Sequence, residues 1–252
     1  MPALLADTSG LASTRWRKLF ARWLRDCPEW WVLALCAAAW LWLLSQPGMP
    51  WLDDICRVDA GGTNLVRALQ GSIDDAMLPM TAAMMLPLAA GPARYASLRS
   101  LWRRRHLAIF LVLCGYLGLW LAAAPPLHAL SAFIGLMAGD PSIAMAVAVA
   151  AAALWQSSPV KSAALAACHR GRALAPAGAA ANRDCLIYGA QSGIACLRSC
   201  WLLMLPPLAS GHSPTVMIGI AALAAAERYR GLPTTISSAL LLGLLFAWRI
   251  WG

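Results

Sequence analysis

The chain has 252 residues, of which 60% are hydrophobic and only 12% charged, and its mean hydropathy is +0.63. A soluble domain carries roughly 25% charged residues, so this composition excludes an ordinary water-soluble enzyme, a disordered chain and a disulfide-stapled secreted module. The net charge of +9 is accounted for by basic cytoplasmic loops of a membrane protein, and no nucleic-acid recognition motif accompanies it.

In chain order, residues 1–29 form the first unit, a cytoplasmic segment. Arg15, Arg17, Lys18, Arg22 and Arg25 alternate with Trp16, Leu19, Phe20 and Trp23, the pattern of an amphipathic helix on the inner leaflet. Residues 1–14 hold Asp7 and no basic residue, unlike a cleaved signal peptide. The second unit, residues 30–252, is a transmembrane helical domain. Its first apolar run is 30–46, followed by a long acidic loop with Asp53, Asp54 and Asp59.

A second run, 75–93, starts behind Asp74-Asp75 and contains Pro79 and Pro87. A basic loop through Arg94, Arg99, Arg103, Arg104 and Arg105 leads to a third run, 106–123, closed by Pro125-Pro126. Beyond it we expect a short outer half-helix, a break at Gly139-Asp140-Pro141 and a span over about 141–156. A basic loop, 157–185, precedes apolar runs at 186–208, 213–227 and 236–251. The expected fold is all-α, a polytopic bundle of about seven transmembrane spans (six to eight). The basic loops alternate with acidic ones, which puts the amino terminus in the cytoplasm. A bacterial inner membrane is the expected location, with the lipid bilayer as surroundings and no nucleic acid as partner.

Three segments carry soft-ligand chemistry. Met77, Met80 and Met84 stand at i, i+3 and i+7, one helical stripe, with Met85 beside it. Thioether sulfur suits Cu(I) and needs no deprotonation, although packing produces the same stripe. Cys196, Cys200 and Met204 stand at i, i+4 and i+8. Two thiols one turn apart can share a soft ion, or be two buried inert groups. His212 lies in a short loop at the outer end of that helix, and Met217 one turn into the next. With the expected spans, these clusters meet at one depth near the outer face. Gly189 and Gly193 form a small-xxx-small pair suited to close helix contact. Arg198, in mid-span, calls for a partner; Asp140 is one candidate.

Three blocks resemble the DUF2182 family of predicted metal-binding integral membrane proteins, over about residues 75–230. Met80-Thr-Ala-Ala-Met-Met-Leu-Pro87 is similar to its Met-rich signature. Trp155-Gln-Ser-Ser-Pro-Val-Lys161, followed by Cys168, is similar to its aromatic-Gln-x-x-Pro-x-Lys segment. Gly193 through Met204, with Met217 and Glu227, resembles its Cys-rich helix and following span. The chain departs from the pattern at Arg198 and Ser199, where the family has Gly and a middle Cys, and has His212 where the family often has Met.

The resemblance and the convergent Met, Cys and His residues imply a protein that binds Cu(I) from the outer side. Its role would be copper transport or delivery to a copper enzyme. The alternative is a non-catalytic structural or assembly subunit of a larger membrane complex, with the metal site lost. Enzymatic activity is not expected: His106, His128, His169 and His212 are scattered, and no nucleophile–base pair is legible.

Overall fold

A computed structural model describes residues 26–45, 77–231 and 236–243. The amphipathic amino-terminal segment before residue 26, the acidic loop and the end of the last run lie outside the described residues. All regular structure among the described residues is helical. The helices are α1 (Trp30–Ser45), α2 (Met77–Arg99), α3 (Arg105–Ala138), α4 (Pro141–Gln156), α5 (Pro159–Cys168), α6 (Gly178–Cys200), α7 (Leu205–Ala209) and α8 (Pro214–Arg230). Residues 236–243 are helical as well. Short 3-10 segments at Trp102–Arg104 and Trp201–Met204 precede α3 and α7.

A seven-span bundle is not shown by the described residues. Trp102–Ala138 and Gly178–Ala209 are long and apolar enough to cross a membrane. The pair α4–α5 passes the same test together but is bent by 73°, a broken span or a re-entrant hairpin, giving up to three crossings. Helix α1 is apolar but shorter.

Two expected boundaries shift. The Pro125-Pro126 pair does not close a helix: α3 runs through it, so the expected outer half-helix is the end of α3. Two prolines remove two backbone donors, which a helix in an apolar bundle can survive when the freed carbonyls are accommodated locally. The real stop is Gly139, left-handed at φ 67, and Asp140, whose carboxylate caps α4 by accepting from the Ser142 and Ile143 amides. The basic loop expected over 157–185 contains α5 and the first turns of α6. Ser158 caps α5 and Pro159 occupies its first turn.

Proline chemistry also joins α1 to α2. Pro87 cannot donate to the carbonyl four residues back, that of Ala83. Trp40 Nε1 donates to this oxygen at 3.0 Å and the Cys36 thiol at 3.3 Å. The Tyr229 hydroxyl of α8 donates to the Pro87 carbonyl at 2.6 Å.

The centre of the bundle is the seam between α3 and α6, with α2 against both. A Cβ added at Gly189 would fall 2.2 Å from the Val112 carbonyl oxygen, and one at Gly115 would fall 2.3 Å from that of Leu186. The two backbones are therefore in contact, which the Gly189–Gly193 spacing predicts. Gly193 adds to the seam: its Cβ would meet the Tyr116 carbonyl oxygen at 3.2 Å.

Candidate metal centre

The closeness of that seam brings side chains of α2, α3 and the α6–α7 junction together around a narrow cavity of about 30 Å³. Met80, Met84, Met85 and Met204 line it, with Trp120 and His128. All four methionines are buried. The space suffices for a water-sized guest or a bare ion.

Helix α2 delivers Met80 and Met84 from one stripe and Met85 from beside it, as the spacing predicts. Met77 begins the helix. Met204 arrives by a different route. The α-helix gives way to a 3-10 turn over Trp201–Met204, ahead of Pro206-Pro207. A 3-10 turn advances 120° per residue instead of 100°, so four residues rotate Met204 by roughly 80° away from the α-helical stripe. Cys196, Cys200 and Met204 therefore do not share one face, and the thiols do not line the cavity.

His128, expected to be one of four scattered histidines, stands in the cavity wall. With α3 continuous through the proline pair, Trp120, Ala124, Leu127 and His128 stand at i, i+4, i+7 and i+8. That face lines the cavity. His212 takes a left-handed backbone at φ 61 and stacks its ring on His128, with centroids 5.5 Å apart. Burial, and then the His128 ring, hold the His212 imidazole down to a pKa of about 3, so it is neutral at pH 7. Met217 is buried in the same apolar core without lining the cavity.

Cys196 and Cys200 lie beside the seam, both buried. The Tyr116 hydroxyl donates to Cys196 Sγ at 2.9 Å, and Ser199 Oγ lies 3.3 Å from Cys200 Sγ. Ser199 also donates to the Cys196 carbonyl at 2.9 Å. Among the described residues, no three His, Cys, Asp or Glu side chains are grouped to hold a metal. Any ion held here relies on thioethers, on one imidazole or on two thiols.

A buried polar group joins residues of two of the blocks that carry the family resemblance. Lys161 Nζ pairs with Glu227 Oε2 at 2.7 Å and also donates to Gln156 Oε1. Lys161, Gln156 and Glu227 are all buried. The pairing joins residues 66 apart in sequence; the family resemblance singles out Gln156, Lys161 and Glu227 without pairing them. Arg198 projects outward from α6, exposed, beside Trp155, Val160 and Trp201.

The chain matches the PpoB2 family, described as a copper chaperone, over residues 77–251, well over half its length. It belongs to this copper-chaperone family. The match starts at Met77 and takes in all the soft-ligand residues above. The PpoB2 assignment shows a copper-related family; it does not single out the DUF2182 family that the motifs resemble. No curated protein and no solved structure matches the chain.

The donor set fits copper. Thioether and imidazole are ligands that Cu(I) accepts, and none of the cavity's sulfurs must lose a proton to bind it. Trp120 stands at the cavity wall as well.

Proposed function

We propose that this PpoB2 protein is an integral membrane copper chaperone that carries Cu(I) as cargo. Met80, Met84, Met85, Met204 and His128 hold the ion in the cavity near the outer face of a bacterial inner membrane. His212 stacks behind His128 and fixes its ring. The protein hands the ion to a copper enzyme and catalyses no reaction itself.

One observation carries this reading: four buried methionines and a histidine converge on a single ion-sized space in a chain of a copper-chaperone family. Neutral ligands suit transient holding. They bind Cu(I) without releasing protons, so the ion can leave without waiting for any to return.

The test is X-ray absorption spectroscopy of the Cu(I)-loaded protein at one equivalent. The expected first shell is sulfur-rich, with a nitrogen contribution that disappears in His128→Leu. A shell of oxygen and nitrogen alone, unchanged in that variant, would contradict the assignment.

A further inference from the structure

We propose that Cys196 and Cys200 form a second Cu(I) station, deeper in the bundle than the methionine cavity, and that Arg228 is its fixed counter-charge. The proposal rests on the copper-chaperone reading and adds a second site and a path to it.

Arg228 of α8 sits inside the bundle. It is buried at 5% exposure, and no carboxylate lies within salt-bridge distance of it among the described residues. Its Nη2 donates to the Cys168 carbonyl at 3.4 Å. The ionisable groups in its field are weak acids: Tyr116, Cys196, Cys168 and Tyr229. An isolated cation in an apolar interior is costly, so such charges are normally paired. Among the described residues, the anion that could balance it is one made from these thiols or phenols. The nearby Lys161 charge is already matched by Glu227.

Cu(I) binding supplies that anion. Cys196 and Cys200 are one turn apart on α6, both buried, with Tyr116 Oη 2.9 Å from the first sulfur and Ser199 Oγ 3.3 Å from the second. A d¹⁰ ion accepts as few as two thiolates. Two S–H bonds break, two S–Cu bonds form, two protons leave to solvent and no electron changes hands. One positive ion and two thiolates make a complex of charge −1, which the Arg228 guanidinium balances. Tyr116, donating to Cys196 Sγ, would donate equally to the bound thiolate.

The two stations are distinct along the bundle. Tyr116, which marks the thiols, precedes Trp120 by one turn of α3 and His128 by three, or roughly 6 and 18 Å of axial rise. The basic residues Arg99, Arg103 and Arg105 lie beyond, toward the other end of α2 and α3. Copper entering at the methionines therefore reaches the thiols as a second, tighter stop.

The experiment is an anaerobic Cu(I) titration of the full-length protein against a competing chelator, following the ultraviolet thiolate-to-copper charge-transfer band. The intact protein should bind two Cu(I) and show the band. Cys196→Ser/Cys200→Ser should lose one ion and the band. Met80→Leu/Met84→Leu should lose the other and keep it. Arg228→Gln should weaken only the band-forming step, by about 10–100-fold, the usual cost of removing an outer-shell partner. Arg228→Lys, which keeps the charge, should restore most of it and shows that folding is not the cause. A single ion, lost in the methionine variant but untouched by the cysteine variant, would overturn the second station and leave the chaperone reading standing. Band-forming affinity unaltered in Arg228→Gln would overturn the counter-charge. No Cu(I) bound at all would overturn both readings.

Discussion

His212 carries the clearest pH signature in the molecule. Its imidazole is held near 3 in the folded protein, against 6.5 for an ordinary histidine. The unfolded chain therefore takes up this proton first as pH falls. The stability owed to neutral His212 is complete above about pH 6.5 and is lost as the pH drops from there toward 3. In copper-free protein, the melting temperature should fall across that window, and His212→Gln should flatten the profile. Superimposable profiles for the two proteins would contradict the burial of this ring against His128. Methionine variants give the complementary residue-scale test. Met→Leu conserves volume and costs less than about 1.5 kcal/mol, so copper lost on such a change reports ligation and not unfolding.

Among the elements, the α3–α6 seam decides where every candidate ligand stands. Gly189→Ala places a methyl group against the Val112 carbonyl and must push the helices apart. We expect a cost of about 1–3 kcal/mol in a thermal or denaturant melt, and loss of the Tyr116–Cys196 contact. A variant as stable as the parent would show that the helices are not in backbone contact. The Lys161–Glu227 pair makes a second prediction. Glu227→Leu leaves the Lys161 charge buried alone and should cost about 3–5 kcal/mol, whereas Lys161→Met/Glu227→Leu should regain most of it. Equal losses in both would point to some other role for Glu227. These elements also show what the sequence could reveal. The α2 stripe was legible because an unbroken α-helix preserves 3.6-residue spacing. The Cys–Met stripe of α6 was not, because a local 3-10 turn rotates Met204 into the cavity while the thiols stay behind. His128 was hidden by one assumption, that adjacent prolines end a helix. The Lys161–Glu227 pair is tertiary, and no local period encodes it.

For the whole molecule, charge and chemistry occupy opposite ends. Arg104 reaches Asn182 and the Pro176 carbonyl, the latter at 3.3 Å, and Tyr95 donates to the Arg172 carbonyl at 2.9 Å. The arginine-rich segments 99–105 and 170–183 thus meet at one end, while the methionine cavity lies toward the other. If the basic end faces the cytoplasm, as arginine-rich ends of membrane proteins do, the copper cavity lies toward the outer face. Trypsin should then cut near Arg103 and Arg172 in inside-out vesicles and leave them intact in right-side-out ones. The opposite pattern would reverse the proposed direction of copper entry. Among the described residues, two helices, or three if the bent pair is one span, are long and apolar enough to cross a membrane; 106–123 continues through Pro125-Pro126 into the expected half-helix, and 141–156 bends into α5.

The central claim is that the methionine–histidine cavity holds Cu(I). The most direct test is competitive Cu(I) titration of the purified protein beside a Met80→Leu/Met84→Leu/His128→Leu variant, with folding checked by melting. The account predicts a Cu(I)-binding step in the parent that is missing from the folded variant. The same step at unchanged affinity in the variant would contradict it and make the stripe packing alone.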